Sequence, residues 1–310
     1  MLKLFFFKNL ASFLRMYIIY SPLERGKFSI WKYLFRRYLS DKGITATATA
    51  IFGAKFKVTL SDLVQSSIYV FGAWEPVMTA YLMRILKKGD IFIDIGANIG
   101  YYSAMSALLV GDIGKTFAIE ASPSIYEMLQ YTISRNNINH VKTFNVAVTD
   151  RPCQVPIYIA NNRNIGQSTI VDTMIGAAGG KFESQVNGLP LDQIIPVEDI
   201  INARIIKIDV EGAEWLVLQG MKHLLPKLSA HTEIFIEASV ISLRSFGIDM
   251  DEFLKLFTDS GFSPFVVNKQ FNEPYYPLQN AEHAITPLRD ELSRYDLIDL
   301  LFRKTCPGGA

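Results

Sequence analysis

The stretch Asp94-Ile95-Gly96-Ala97-Asn98-Ile99-Gly100 constrains this chain more than any other. It closes a short apolar run, Ile91 to Ile95, that starts after the turn pair Gly89-Asp90, and it leads into a helical segment from about Asn98 to Leu109. A strand passing through a glycine turn into a helix opens a βαβ unit. Glycines in such a turn let the backbone bend tightly and let a ligand approach without meeting a Cβ. The helix that follows offers unpaired N–H groups and the positive end of its dipole, which suit a carboxylate or phosphate.

The same rhythm continues. Lys115 to Ile119 reads as a second strand ending on Glu120, and Pro123 opens a helix to Asn136, where the first helical turn lacks a partner for the missing N–H anyway. Val141 to Val148 reads as a third strand; Ile205 to Ile208, Ile234 to Ile236, Phe262 to Val267 and a run near Leu297 to Phe302 read as further ones. Helices are centred on Trp215 to Leu225 and Asp251 to Ser260. This order predicts an α/β fold: a Rossmann-like, doubly wound, mostly parallel sheet with helices on both faces. Residues 1–70 read as an N-terminal helical extension, with Thr45 to Thr49 as a weak strand or linker, and residues 71–310 as the main domain. Residues 152–186 break the rhythm with an alternating Val155, Ile157, Ile159 run and a glycine-bearing tract, the pattern of a hairpin and loop on the substrate side.

Two features separate the ligand from a dinucleotide. The glycine spacing is G-x-x-x-G rather than G-x-G-x-x-G, so Asn98 stands where a pyrophosphate would need a glycine. An acid, Asp94, sits within the turn, poorly placed beside a pyrophosphate but well placed to meet an amino acid's ammonium group. Glu120, at the end of the second strand, stands where an acid binds ribose hydroxyls, with helix capping at Pro123 as the structural alternative. These features point to S-adenosylmethionine.

At these residues the chain resembles the FkbM family of methyltransferases: Ile93 to Tyr101 (IDIGANIGY), Glu120 to Pro123 (EASP), Asn145 to Val148 (NVAV) and Lys207 to Glu214 (KIDVEGAE) follow its pattern in order. The resemblance spans roughly residues 70–240, and Trp74-Glu75-Pro76 is similar to the segment with which members begin their cofactor pocket. It implies a class I methyltransferase sheet and transfer of a methyl group from S-adenosylmethionine, in many members to a hydroxyl of a sugar, polyketide or other small metabolite. It further implies that Asp94, Gly96, Asn98 and Gly100 line the methionine end, that Glu120 holds the ribose, that Asn145 or Ala147 lies near the adenine, and that Glu75 belongs to the cofactor pocket.

Asp209 ends the fourth strand and Glu211 follows at the turn into the next helix, so either can accept the acceptor's hydroxyl proton. The structural alternatives are that Asp209 orients the cofactor and that Glu211 caps that helix. Both could also ligate magnesium, and no metal site is assigned. Lys207, alternating with Ile206 and Ile208, is given no role; His231 and Glu237 are minor candidates because strand ends converge on one edge.

A net charge of +1 without a basic stripe argues against a nucleic-acid partner and hence against RNA methylation. The missing central glycine argues against an NAD-dependent dehydrogenase. Protein methylation and a non-catalytic cofactor-binding role stay open, as do oligomeric state and acceptor identity. Two cysteines, Cys153 and Cys306, far apart and without metal-ligand spacing, read as free thiols of a cytoplasmic protein. Met1 to Tyr20 is apolar but broken by Lys3, Lys8 and Arg15, too charged to span a bilayer. It reads as a helix packed on the domain or as one in peripheral contact with a membrane.

Overall fold

The computed structural model describes residues 13–19, 21, 26–31, 33, 43–159, 168–169, 181–268, 284–288 and 296–304. Its spine is a sheet in the order β13-β12-β14-β11-β10-β3-β4-β5. The parallel strands are β3 (Ile91–Ile95), β4 (Lys115–Ile119), β5 (Val141–Phe144), β10 (Ile205–Ile208) and β11 (Glu233–Ser239). β14 (Leu297–Lys304) inserts antiparallel between β11 and β12 (Phe262–Val267), and β13 (Ile285–Pro287) closes the edge. This is the Rossmann-like, doubly wound architecture expected from the sequence.

Strands covered on both faces need apolar residues on both. All of Ile205–Ile208 is buried, and so are Phe92 to Ile95. One core joins Phe92, Ala118, Ile205 and Phe235 to helices α1 (Leu63–Phe71), α2 (Pro76–Ile85), α3 (Tyr101–Val110) and α4 (Pro123–Arg135). The other joins Ile93, Ile95, Ile206 and Ile236 to α5 (Glu214–Met221), α6 (Val240–Ser245) and α7 (Met250–Thr258). Helices α1, α4 and α7 begin where side chains satisfy their free N–H groups: Asp62, Ser122 and Asp249 each accept from the backbone three residues on.

One local expectation holds in its strand form and two change. Thr45–Thr49 (β1) is a strand, paired antiparallel with Lys55–Thr59 (β2), and Phe56 and Val58 enter the first core. Residues 45–71 thus share the core of the main sheet, and the expected boundary at residue 70 falls inside α1. The expected single strand from Val141 to Val148 divides at Asn145 and Val146. Ala147–Val148 (β6) leaves for a second sheet, β6-β9-β7-β8, with Cys153–Ile159 (β7), Ser168–Thr169 (β8) and Lys181–Leu189 (β9). The hairpin expected within residues 152–186 is therefore β7 paired with β9, while residues 160–167 and 170–180 lie outside the described residues.

Residues 13–19 are helical, and Ile18 packs on Val70 and Phe71, while Phe13 and Met16 are exposed. The rest of the Met1 to Tyr20 segment lies outside the described residues. Among the described residues no helix is long and apolar enough to cross a membrane. Cys153 is a free thiol; Cys306 is outside the described residues.

Candidate functional site

Winding reverses between β3 and β10, and in open α/β sheets ligands bind beyond the strand ends at such a switch point. Here the two loops touch. The Asp209 N–H donates to the Ile95 carbonyl at 3.0 Å. Gly96 has φ of 81°, and a Cβ there would collide with the Asp209 carbonyl oxygen. The space expected to admit a ligand is filled by the backbone after β10. Gly100, at φ 83°, begins α3, and a Cβ there would lie 2.6 Å from the Leu129 side chain of α4, so this glycine permits close helix packing.

Two clefts open on either side of this junction. The first encloses about 600 Å³ and is lined by Gly96, Asn98, Glu120, Asp209 and Glu211, with an apolar wall of Val146, Ala147, Val148 and Ile157. The two Glu120 carboxyl oxygens accept one backbone N–H each, from Asn98 and from Ser122, both at 2.9 Å. Burial raises this carboxyl to about 7, against the lowering effect of those two bonds. Capping of α4 falls instead to the Ser122 side chain, which accepts from Ile125 N. Asn98 has φ of 51° and its side-chain oxygen accepts from Ile99 N at 2.7 Å. Asn145 stands outside the cleft wall: its amide donates to the carbonyls of Glu120 and Ala121, both at 2.9 Å, and braces the strand ends.

The second cleft encloses about 270 Å³ and is lined by Glu75, Met78, Lys207, Asp209, Phe235, Glu237 and Asp299, among others. Glu75 thus sits here, away from the wall of the first cleft. It has φ of 41° just before Pro76, and Tyr102 donates to its carboxyl at 2.6 Å. Burial pushes Glu75 to about 7, with Asp299 and Asp209 adding to the shift. Glu237 and Asp299 face each other as register partners on β11 and β14. Among the described residues Asp209 alone lines both clefts, and its Oδ2 accepts from Lys207 Nζ at 2.8 Å.

Below this surface, Asp94 is fully buried and pushed to about 6 by burial, opposed by Lys207 and by the Ser103 hydroxyl that donates to its Oδ2 at 2.6 Å. The two glutamates after Asp209 divide their work. Glu214 accepts from the backbone of Val210 and Gly212 at 3.2 and 3.0 Å, holding the loop in shape. Glu211, at φ 50°, lines the first cleft and is raised to about 8 by burial and by the charges of Asp209 and Glu214. The helix-capping alternative weighed for Glu211 does not hold, since the cap position of α5 is Ala213.

Two corrections concern β10 and β11. Lys207, given no role from the sequence, lies among Asp94, Asp209 and Glu75; the sequence shows a lysine alternating with buried isoleucines, but its place beside Asp94 comes from strand register. His231 precedes β11, at the opposite end of the sheet from both clefts, where its carbonyl accepts from Arg204. Of the apolar wall, Ala147 was expected beside the adenine, whereas Ile157 was not legible there because it reaches the cleft through a second sheet.

The first cleft suits S-adenosylmethionine. Its apolar wall would take an adenine, and Glu120 keeps a second acceptor direction on each oxygen for ribose hydroxyls. Asp94 Oδ1 is the one buried side-chain polar atom without a partner among the described residues, an acceptor suited to an ammonium group.

Residues 94–264 match the methyltransferase FkbM domain family. The protein-L-isoaspartate O-methyltransferase of Methanocella arvoryzae is 31% identical over 71 residues, 22% of this chain and 38% of its own length. That of Methanococcoides burtonii is 30% identical over 92 residues, 28% of this chain and 43% of its length. The chain thus spans less than half the length of these relatives. The crystal structure of methyltransferase FkbM from Methylobacillus flagellatus is similar at 17% identity with a TM-score of 0.42, covering 76% of this chain and 50% of that one.

Proposed function

The chain belongs to the FkbM methyltransferase family, and we propose that it transfers the methyl group of S-adenosylmethionine to a hydroxyl of a sugar, glycan or other small metabolite. The observation that carries this reading is that Asp209 lines both clefts. The first cleft takes the cofactor, through Glu120 at the ribose, Ala147 beside the adenine, and Asp94 with the Gly96–Gly100 turn at the methionine end. When bound, the cofactor supplies an electrophilic methyl group. The second cleft takes the acceptor.

Asp209 then does the proton work. An acceptor hydroxyl in the second cleft hydrogen-bonds to the Asp209 carboxylate, which receives its proton as the oxygen becomes the nucleophile. Glu211, raised to about 8, carries its own proton at neutral pH and can release that one to solvent as it takes the proton from Asp209. Glu75, Glu237 and Asp299 present acceptor oxygens to the remaining hydroxyls of a polyol.

The same lining disfavours anionic acceptors. The relatives named above act on isoaspartate, a carboxylate; here such a group would meet Glu75, Asp209, Glu237 and Asp299 against one lysine. An RNA phosphate meets the same repulsion. The test is methyl transfer from labelled S-adenosylmethionine to a panel of neutral sugars, amino sugars, sugar phosphates, isoaspartyl peptides and RNA, with thermal shifts by the cofactor and by NAD alongside. Stabilisation by adenosylmethionine and transfer to uncharged or amino-bearing polyols is expected. Stabilisation by NAD alone, or transfer confined to RNA or isoaspartate, would overturn the reading.

A further inference from the structure

Lys207 is the feature that the reaction outlined above does not yet use. Its side chain is 4% exposed, and a lysine is almost never so buried unless paired. Strand alternation fixes its direction: Ile206 and Ile208 enter the core under α5, so Lys207 emerges on the opposite face, beside Asp94. There its ammonium lies 5.3 Å from the centre of the Tyr102 ring. Burial alone would lower its pKa, but Asp209, Asp94 and Glu75 together hold it above the ordinary lysine value. The charge is therefore permanent.

A lysine kept only to neutralise the core would bond the deepest acid, Asp94. It does not: Asp94 takes its bond from Ser103, and its other oxygen has no partner. The hydrogen bond of Lys207 goes to Asp209 Oδ2 at 2.8 Å, two residues along at the strand end. Asp209 is itself about a third exposed, with no other side-chain partner among the described residues to fix its rotamer. Without Lys207 the carboxylate would swing, surrounded by Glu75, Asp94, Glu211 and Glu214.

We propose that Lys207 is a positioning residue: its ammonium pins one oxygen of Asp209 and so aims the other at the acceptor between the two clefts. This rests on the reading of Asp209 as the group that receives the acceptor's proton. It also gives the acidic pocket its counter-charge. The titratable groups facing Lys207 come from every surrounding element: Glu75 before α2, Asp94 on β3, Tyr102 on α3, Asp209 and Glu211 after β10, Glu237 on β11 and Asp299 on β14.

The experiment compares Lys207→Met, Lys207→Arg and Asp209→Asn, singly and combined, in the full chain. Lys207→Met should lower kcat by about 10²-fold, the cost of misplacing a catalytic group by an ångström, with a smaller effect on acceptor KM. Lys207→Arg should restore most of that loss. In the Asp209→Asn background neither substitution should lower kcat much further, because both act through the same carboxylate. Carbon-13 NMR of the carboxyl groups, read without cofactor or acceptor, should show Glu75, Asp94 and Glu211 titrating at higher pH in Lys207→Met and near their parental values in Lys207→Arg. Additive losses in the double variants, or unchanged carboxyl titrations, would overturn the role of Lys207 while leaving the parental transfer reaction intact. Absence of transfer by the parent protein would instead overturn the functional reading. Should Lys207→Met fail to fold, the Lys207→Arg and Asp209→Asn cycle alone decides, since both preserve shape.

Discussion

Asp94 and Lys207 are register partners on adjacent parallel strands, both buried, yet no hydrogen bond joins them. Each spends its bond elsewhere, Asp94 on Ser103 and Lys207 on Asp209, and Asp94 Oδ1 is left with none. On the proposed reading, this sets an ammonium-seeking acid at the cofactor end and a held carboxylate at the acceptor end.

Cofactor affinity should reflect this directly. Replacing Asp94 by alanine should weaken adenosylhomocysteine binding by about 1.5–3 kcal/mol, the scale of a charge-assisted hydrogen bond. Glu120→Ala should cost a similar amount, and in addition it strips an acceptor from the backbone of Asn98 and Ser122. Calorimetry returning a parental dissociation constant for either variant would remove that residue from the cofactor site.

The buried carboxyls predict an unusual pH dependence of stability. Asp94 is raised to about 6, Glu75, Glu120 and Glu214 to about 7 and Glu211 to about 8, all above their ordinary values near 4. A folded-state pKa above the unfolded one means that the native chain binds protons more tightly, so the stability contributed is full below the ordinary values and lost as pH rises through the raised ones. The melting temperature of the ligand-free protein should therefore fall between pH 5 and pH 8.5, and fall less steeply in Glu211→Gln. A melting temperature that climbs over this interval would contradict the burial of these acids.

Gly96 tests the junction of the two loops. Its φ of 81° and the Asp209 carbonyl at the position of a Cβ make even Gly96→Ala a collision of backbone with side chain. The variant should lose about 1–3 kcal/mol of stability, the usual cost of overpacking, and lose turnover with it. Denaturant titration showing parental stability with normal activity would mean the loops do not meet as described.

Much of this was legible from residue order. The period of strands and helices, the Asp94–Gly100 turn and the end positions of Glu120 and Asp209 follow from patterning that packing obeys. Register is another matter. That Lys207 lies beside Asp94, and Glu237 opposite Asp299, depends on which strands become neighbours, and β14 reaches its place only by inserting between β11 and β12. Glu75 precedes a proline with left-handed backbone, and its place away from the first cleft is set by the packing of α2, which no local pattern encodes. Gly96 was identified for its conformation, but the neighbour that requires it comes from a strand more than a hundred residues later.

The exposed Phe13 and Met16, at 64% and 58%, bear on the membrane question. If this helix meets a lipid surface, Phe13→Ser with Met16→Ser should reduce flotation with anionic liposomes while leaving the melting temperature unchanged, since Ile18 rather than these residues packs on Val70 and Phe71. Equal flotation of parent and variant would leave these side chains without a lipid role.

The most direct measurement is single-turnover methyl transfer by Asp209→Asn, with adenosylhomocysteine affinity determined on the same preparation. The substitution keeps the size of the side chain and removes its charge. The rate should fall by about 10²–10⁴-fold, the usual contribution of a positioned base, with cofactor affinity nearly unchanged and the deficit shrinking as pH is raised. Full turnover in this variant, or a loss confined to cofactor binding, would contradict the assignment of Asp209 as the residue that joins the two clefts in one reaction.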